Sequence, residues 1–384
     1  MQLKKIVNIF PKSKIKAGEG KNSGKYPLFT CSPEINKYLD DFQINNESII
    51  VGTGGNAVIN YYNGPLNYST DCLVFSGNNE YMTKYIYYYL LFIMDDIEDM
   101  FRGAGLKHLN RKEFMNIDIP QKNLDEQKEI IQKLDSINVI INSYLENKEL
   151  LKKIRKNRFA KLFLTDKGFS KLKLEEFCLN DKYSIKRGPF GGSLKKSDFK
   201  DEGFLVYEQR HAIHEDFEYE KYYIDEKKYN EMNMFRVIPG DLIISCSGVT
   251  LGRIAEIPVN AKPGIINQAL LKLSLNNDVM NNKFFIDLFR SDNIQDVLFD
   301  ASRGAGIPNF PSMVEIKNID FICPPIELQN DYCFFAETVD KLQSLIDNQI
   351  LSLRKLAKST MNFIFDNWGD DALWNIQIKT LIEF

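Results

Sequence analysis

Residues Asp125–Phe163 read DEQKEIIQKLDSINVIINSYLENKELLKKIRKNRFAKLF, and the pattern returns 202 residues later. With the residues just before it, Asp118, Gln127, Asn138, Leu151, Ile154, Leu162 and Phe163 fall without a gap on Asp320, Gln329, Asp340, Leu353, Leu356, Ile364 and Phe365. The stretch contains no Gly and no Pro. Its apolar residues Ile130, Leu134, Ile137, Ile141, Tyr144, Leu151 and Leu162 advance by three and four or their multiples. The copy repeats the slots with Tyr332, Ala336, Val339, Ile346, Ile350, Leu353 and Ile364. Lys148, Arg155 and Arg158 interrupt the first seam, and Gln343 interrupts the second. Such spacing over about five heptads predicts a coiled coil. The alternative is that each helix packs only on its own domain. Two equal seams in one chain can satisfy each other, and a twofold axis across them makes the pair antiparallel. About 39 residues at 1.5 Å each give a rod of roughly 58 Å, suited to act as a ruler.

The repetition extends upstream. Arg102-Gly103-Ala104-Gly105-Leu106 is echoed by Arg303-Gly304-Ala305-Gly306-Ile307. Solenoid periods run roughly 20–50 residues, so a repeat this long is a duplicated domain pair. Pseudo-twofold proteins suit symmetric or bipartite targets. Before each helix the sequence is mixed and turn-rich. Ser48–Val51, Cys72–Phe75, Phe204–Tyr207, Leu242–Ser245 and Ala269–Leu273 are strand candidates. The expected fold is α+β: two tandem α/β units, each followed by a long helix, with long surface loops. The first helix stops near Thr165–Gly168, and the tail 367–384, with Trp368 and Trp374, has no counterpart.

Composition narrows the class. The 384 residues are 44% hydrophobic and 26% charged with a net charge of −3, ordinary for a folded protein rather than a disordered one. The basic residues are uneven. Lys12, Lys14, Lys16, Lys21 and Lys25 share a stretch with Glu19, and Lys186, Arg187, Lys195, Lys196 and Lys200 share one with Asp198. Each run reads as a solvated loop or as a phosphate contact, and its occurrence in both halves favours the latter. The end of the first helix is basic as well, from Lys152 to Lys161, which suits the helix dipole. The six cysteines show no C-x-x-C spacing, so zinc and thioredoxin-like chemistry find no support and reduced thiols are expected. The N-terminus shows no signal peptide, and Tyr85–Met94 is too short to span a bilayer. It and Phe284–Phe289 read as buried helices in a cytoplasmic protein with no membrane partner.

Catalytic motifs are sparse. Gly52-Thr53-Gly54-Gly55-Asn56-Ala57 fits G-x-G-x-x-A, but Val58–Gly64 continues as strand and turn where a nucleotide site needs a helix. The N-P-P-[FY] tetrapeptide of amino-methyltransferases is absent, and Asn309-Phe310-Pro311 is only superficially similar. No Pro-Asp dipeptide exists to start a P-D…[DE]-x-K nuclease core. His211 and His214 stand three apart, which reads as an exposed loop pair rather than a metal site. What does recur is Gly-rich loops beside cations: Arg102 and Arg303 with their glycines, and Gly188-Pro189-Phe190-Gly191-Gly192-Ser193 between Lys186, Arg187, Lys195 and Lys196. Backbone amides and cations in such loops suit phosphate oxygens.

The chain resembles the type I restriction-modification specificity subunits. The resemblance rests on Asp118-Ile119-Pro120 through Leu124 and Gln127, on their copy Pro324-Pro325-Ile326-Glu327-Leu328-Gln329, and on the helix ending Arg158–Phe163. The first copy departs from the pattern in having only Pro120, which puts the local loop geometry in question. The resemblance implies target-recognition domains at 1–122 and 166–325, spacer helices at 123–165 and 326–366, and a tail at 367–384 outside it. It implies a non-catalytic chain whose two domains each read half of a bipartite, asymmetric double-stranded DNA site. The helices would set the spacer and dock two methylation subunits that use S-adenosylmethionine. With restriction subunits added, the complex becomes an ATP-driven nuclease. No cofactor is expected in this chain; ATP and Mg belong on partners.

Within that picture Thr53, Asn56, Gln209, Arg210, His211 and Asn309 are candidate base readers. Lys16, Lys21, Lys107, Arg187, Lys195, Lys196 and Arg253 are candidate phosphate contacts, joined by Arg102 and Arg303. The competing readings are a coiled-coil adaptor with degenerate recognition domains and a stand-alone DNA-modifying enzyme.

Overall fold

The computed structural model describes residues 1–165, 168–190, 192–300 and 310–366. Contacts divide it into two units: Met1–Asn147 with the chain from Leu345 onward, and Lys148–Ser344.

The first unit is built on one six-stranded sheet. Its order is Val7–Ile9, Cys72–Gly77, Ile44–Gly52, Ile59–Tyr68, Tyr26–Phe29, Tyr38–Leu39. All pairs are antiparallel except Tyr26–Phe29 against Ile59–Tyr68. Alternation along the strands gives the sheet two cores. Ile49, Val51, Leu73 and Phe75 pack with the helix Thr83–Phe92, while Ile50, Val74, Leu66 and Phe29 pack on the other face.

The second unit divides the same plan into two sheets. One runs Ile185–Arg187, Leu270–Leu273, Leu242–Ser245, Ile254–Glu256; the other runs Phe199–Lys200, Tyr223–Ile224, Phe204–Tyr207, Gly264–Ile266, Arg236–Val237. The first unit's strand Ile59–Tyr68 serves both an antiparallel and a parallel neighbour. Here two strands share those duties: Ile254–Glu256 pairs antiparallel with Leu242–Ser245, and Gly264–Ile266 pairs parallel with Phe204–Tyr207. Between them lie Pro258 and Pro263, which have no N–H to give a ladder. The strand candidates and both buried helices fall where the sequence places them; the apolar run at Tyr85 lies in Thr83–Phe92, and Phe284–Phe289 in Asn282–Phe289.

The long helices are Leu124–Phe159, closed by a π-turn at Ala160–Leu164, and Ile326–Asp366. Their starts differ. Asn123 and Glu126 form a reciprocal cap, Asn123 Oδ1 accepting from the Glu126 N–H at 3.0 Å and Glu126 Oε2 from the Asn123 N–H at 2.9 Å. The second helix starts on Pro324–Pro325, whose fixed φ suits a helix start. A capping box thus stands where the first copy lacks the second proline.

Within the second unit the helices pair antiparallel. Arg155, Arg158 and Phe159 on the first meet Asp340, Phe335 and Tyr332 on the second, so one numbering rises as the other falls. Within the first unit the early residues Ile130, Ile131 and Leu134 share a core with the late residues Ile364 and Phe365. The interrupting Arg155 sits inside the seam, held by Asp287 and Asp340.

Gln127 and Gln329, matched across the repeat, are fully buried. Gln127 Oε1 accepts from the Met82 N–H at 2.8 Å, and its Nε2 donates to Glu80 O at 2.8 Å and Lys122 O at 2.9 Å. Gln329 Oε1 accepts from the Asn281 N–H at 2.9 Å, and its Nε2 donates to Val279 O at 3.0 Å and Pro324 O at 2.8 Å. Met82 and Asn281 are the cap residues of Thr83–Phe92 and Asn282–Phe289. One amide therefore ties each long helix to the start of the helix that covers its sheet, satisfying backbone groups that burial would leave unpaired.

Candidate nucleic-acid interface

In the first unit two Gly-rich segments are stitched together. Arg102–Lys107 forms the exposed tip of a hairpin between Phe101–Arg102 and His108–Leu109. Gly103 has φ of 149°, and a Cβ there would lie 2.7 Å from Leu106 O, so the turn requires glycine. Gly55 N–H donates to Lys107 O at 2.9 Å and Leu109 N–H to Thr53 O at 3.0 Å. These bonds bring Thr53, Asn56, Arg102 and Lys107 to one surface. Thr53 Oγ1 donates to Asp71 O at 2.8 Å, which leaves the hydroxyl only its lone pairs to offer. Asn56 is exposed, and Arg102 Nη2 lies 2.7 Å from Glu113 Oε2. Thr70 N–H donates to Ile15 O at 2.8 Å, which places the loop carrying the exposed Lys16 beside the same turn. Lys21 is paired with Asp40 at 2.9 Å, and that contact lowers the Asp40 pKa.

In the second unit the residues separate into exposed and structural groups. Lys195, Lys196, Arg210 and Arg253 are exposed. Arg210 lies 4.3 Å over the Tyr219 ring and 3.4 Å from Asp216. Arg187 is half-buried between the rings of Phe190 and Phe310, each 5.8 Å away, and its Nη2 donates to Cys246 O at 3.3 Å. Gln209 Nε2 donates to Ser245 Oγ at 2.8 Å and Ser247 O at 2.9 Å, pinning a loop.

His211 is not an exposed loop residue. It lies in the helix Gln209–His214 with 1% of its surface exposed. Its Nδ1 accepts from the Glu208 N–H at 2.9 Å, and Nε2 faces Tyr219 O at 2.9 Å. The ring caps its own helix and has no free edge for a base. His214 is exposed. Arg303, Asn309 and the tail 367–384 lie outside the described residues.

Half of the basic residues at the end of the first helix are paired inside the second unit. Lys156 pairs with Asp292 at 3.0 Å, Lys152 with Glu149 at 2.6 Å, and Arg155 with Asp287 at 2.8 Å. Burial opposes the charge on Arg155, but the flanking Asp287 and Asp340 hold it protonated. Among the described residues no cluster of His, Cys, Asp or Glu could hold a metal, and no helix is long and apolar enough to cross a membrane. All six cysteines are free thiols.

A family model described as the type I restriction modification DNA specificity domain matches residues 1–156. The MjaVIII specificity subunit of Methanocaldococcus jannaschii, a type I restriction enzyme chain, is 22% identical over 295 residues, 73% of this chain and 68% of that one. A solved S subunit of a type I restriction-modification system from M. genitalium superposes with a TM-score of 0.55 at 16% identity, covering 94% of both chains. A chain solved in work on complex assembly and conformational transition of the type I restriction-modification system gives 0.55 at 14% identity over 94% of this chain and 96% of that one. The chain is therefore similar over most of its length to specificity subunits of type I restriction-modification systems.

Proposed function

We propose that the two units read unlike halves of one bipartite, asymmetric duplex DNA site. Residues 1–122 and 166–325 act as the recognition domains, and the helical segments 123–165 and 326–366 hold them at a fixed spacing and dock two methylation subunits. Adenine methylation with S-adenosylmethionine belongs to those partners, and restriction subunits with ATP and Mg would add cleavage. The chain contributes recognition alone and acts in the cytoplasm.

The observation that carries this reading is the duplication with its divergence. Both units keep the glutamine that ties helix to sheet and a single parallel strand pair, while their loops differ in length and residue type. Anchoring features kept beneath unlike loops suit two readers of different words. The helices also leave apolar side chains exposed, among them Val139, Leu145, Leu345 and Leu351 in the first unit and Phe334 and Ile154 in the second. Apolar surface on a charged helix suits a protein partner.

Sequencing of methylated adenines in a host carrying the locus, with and without this chain, tests the proposal. The expected result is a bipartite motif that disappears with the chain. Intact assembly without any motif would establish the adaptor reading instead, and methylation or cleavage by the purified chain alone would establish an enzyme.

A further inference from the structure

The second unit carries a cleft of about 680 Å3 in which, of the candidates chosen from sequence, only Lys196 takes part. It opens where the sheet's one parallel pair ends: the chain leaves Phe204–Tyr207 at Glu208 and Gly264–Ile266 at Asn267. Crevices beyond the carboxyl ends of parallel strands are common ligand sites in α/β proteins.

The wall at Asn267–Gln268 is rigid. Asn267 N–H donates to Tyr207 O at 2.9 Å, Leu270 N–H to Asn267 O at 3.2 Å, and Ala269 N–H to Asn267 Oδ1 at 3.0 Å. The basic loop is locked against it, because Gly188 N–H donates to Leu270 O at 2.8 Å. A Cβ on Gly188 would stand 1.8 Å from Asn267 O, so only glycine allows this approach. Gln268 is exposed, and among the described residues its side chain makes no hydrogen bond. Lys196 and Lys200 are exposed and among the described residues form no ion pair, and Lys221 rests 4.8 Å over the Tyr222 ring, itself stacked on Phe199 at 4.6 Å.

A fixed turn presenting a free amide, flanked by exposed cations, has the make-up of a base reader between phosphate contacts. The glutamine amide matches adenine N6 and N7 in the major groove. Asp201 and Glu208 also line the cleft; they disfavour a bare anion and suit bases presenting amino groups. The first unit builds the same turn, with Ser69 N–H donating to Phe29 O at 2.9 Å and Cys72 N–H to Ser69 O at 3.2 Å, but it carries Ser69-Thr70. The turn is shared and its side chains differ.

We infer that Gln268 reads an adenine-containing base pair in the half-site of the second unit, with Lys196, Lys200 and Lys221 on adjacent phosphates of duplex DNA. The inference rests on the DNA-reading function proposed above. Its test uses the full chain assembled with its methylation subunits. Gln268→Ala should relax one position in one half of the methylated motif, with roughly tenfold or greater loss of discrimination there and the other half unchanged. Lys200→Gln should keep every letter, weaken binding to a duplex bearing the motif, and reduce the slope of log affinity against log salt by about one. A wild-type bipartite motif that survives Gln268→Ala at every position would overturn this assignment and leave the function standing. Absence of any motif in the wild type would remove both.

Discussion

Two equivalent places in the two units solve one problem with different chemistry. In the first, Lys84 pairs with Asp135 at 2.7 Å, and Tyr88 donates to Asp135 and accepts from Asn138 at 3.0 Å. Burial, followed by the Asp135 contact, raises the Tyr88 pKa. In the second, Lys283 pairs with Glu337 at 3.4 Å, but Asp287 and Asp340 replace the Tyr and Asn. Arg155 bridges those two acids, and Tyr332 donates to Asp287. Ala357 stands in the slot that matches Arg155, so the first unit holds no such cation there. The lysine–acid pair and the buried glutamine are shared, whereas the polar cluster beneath the seam has been rebuilt. The contacts common to both copies therefore mark what the scaffold needs.

The largest expected effect tests the shared part. Gln127→Ala and Gln329→Ala each strand a buried N–H and two carbonyls, and each should cost about 3 kcal/mol by urea denaturation. The two losses should be similar; a loss confined to one copy would break the equivalence.

Arg155→Ala tests the rebuilt part. Asp287, 12% exposed at its side chain, would lose its guanidinium partner, for a loss of about 2–3 kcal/mol, below a fully buried pair because Asp340 is 43% exposed. The thiols separate the units, since burial pushes Cys72 up to about 11 and Cys246 up to about 12. Thiol labelling at neutral pH should accelerate at Cys246 and stay slow at Cys72. Equal acceleration at both would contradict a local role.

Lys84→Ala and Lys283→Ala remove partly exposed pairs and should each cost about 1 kcal/mol or less in the same denaturation measurement. The smallest effect separates the helix starts. Burial of Glu126 is outweighed by its hydrogen bond to the Asn123 N–H and by Lys122, and its pKa is lowered. A lowered carboxylate pKa means stability present above the ordinary glutamate range and lost as pH falls through the folded-state value. Hydrogen exchange near Asn123 should quicken on acidification before exchange near Pro325 does; simultaneous change would contradict the capping account.

Much of this was legible beforehand. The seam at offset 202 gave both long helices, and strand candidates such as Ser48–Val51 and Leu242–Ser245 stood out because aliphatic runs bounded by turn residues have few other uses. The site was less legible. Thr53, Asn56, Arg102 and Lys107 meet through backbone bonds between distant loops, which residue type does not announce. His211 reads as part of an exposed loop pair because a bare H-x-x-H carries no further signal, while its ring caps its own helix. Gln268 is not legible in the sequence because its turn is defined by a parallel strand pair that only the fold assembles. Gln127 and Gln329 were visible as matched positions, and the fold gives their reason.

The central claim is that two units of one chain read separate words. The most direct measurement replaces residues 166–325 with the matching segment of a related specificity subunit and sequences the host's methylated adenines. The account predicts a motif in which one half changes while the other half and the spacer length persist. A motif changed in both halves, or in neither, would contradict it.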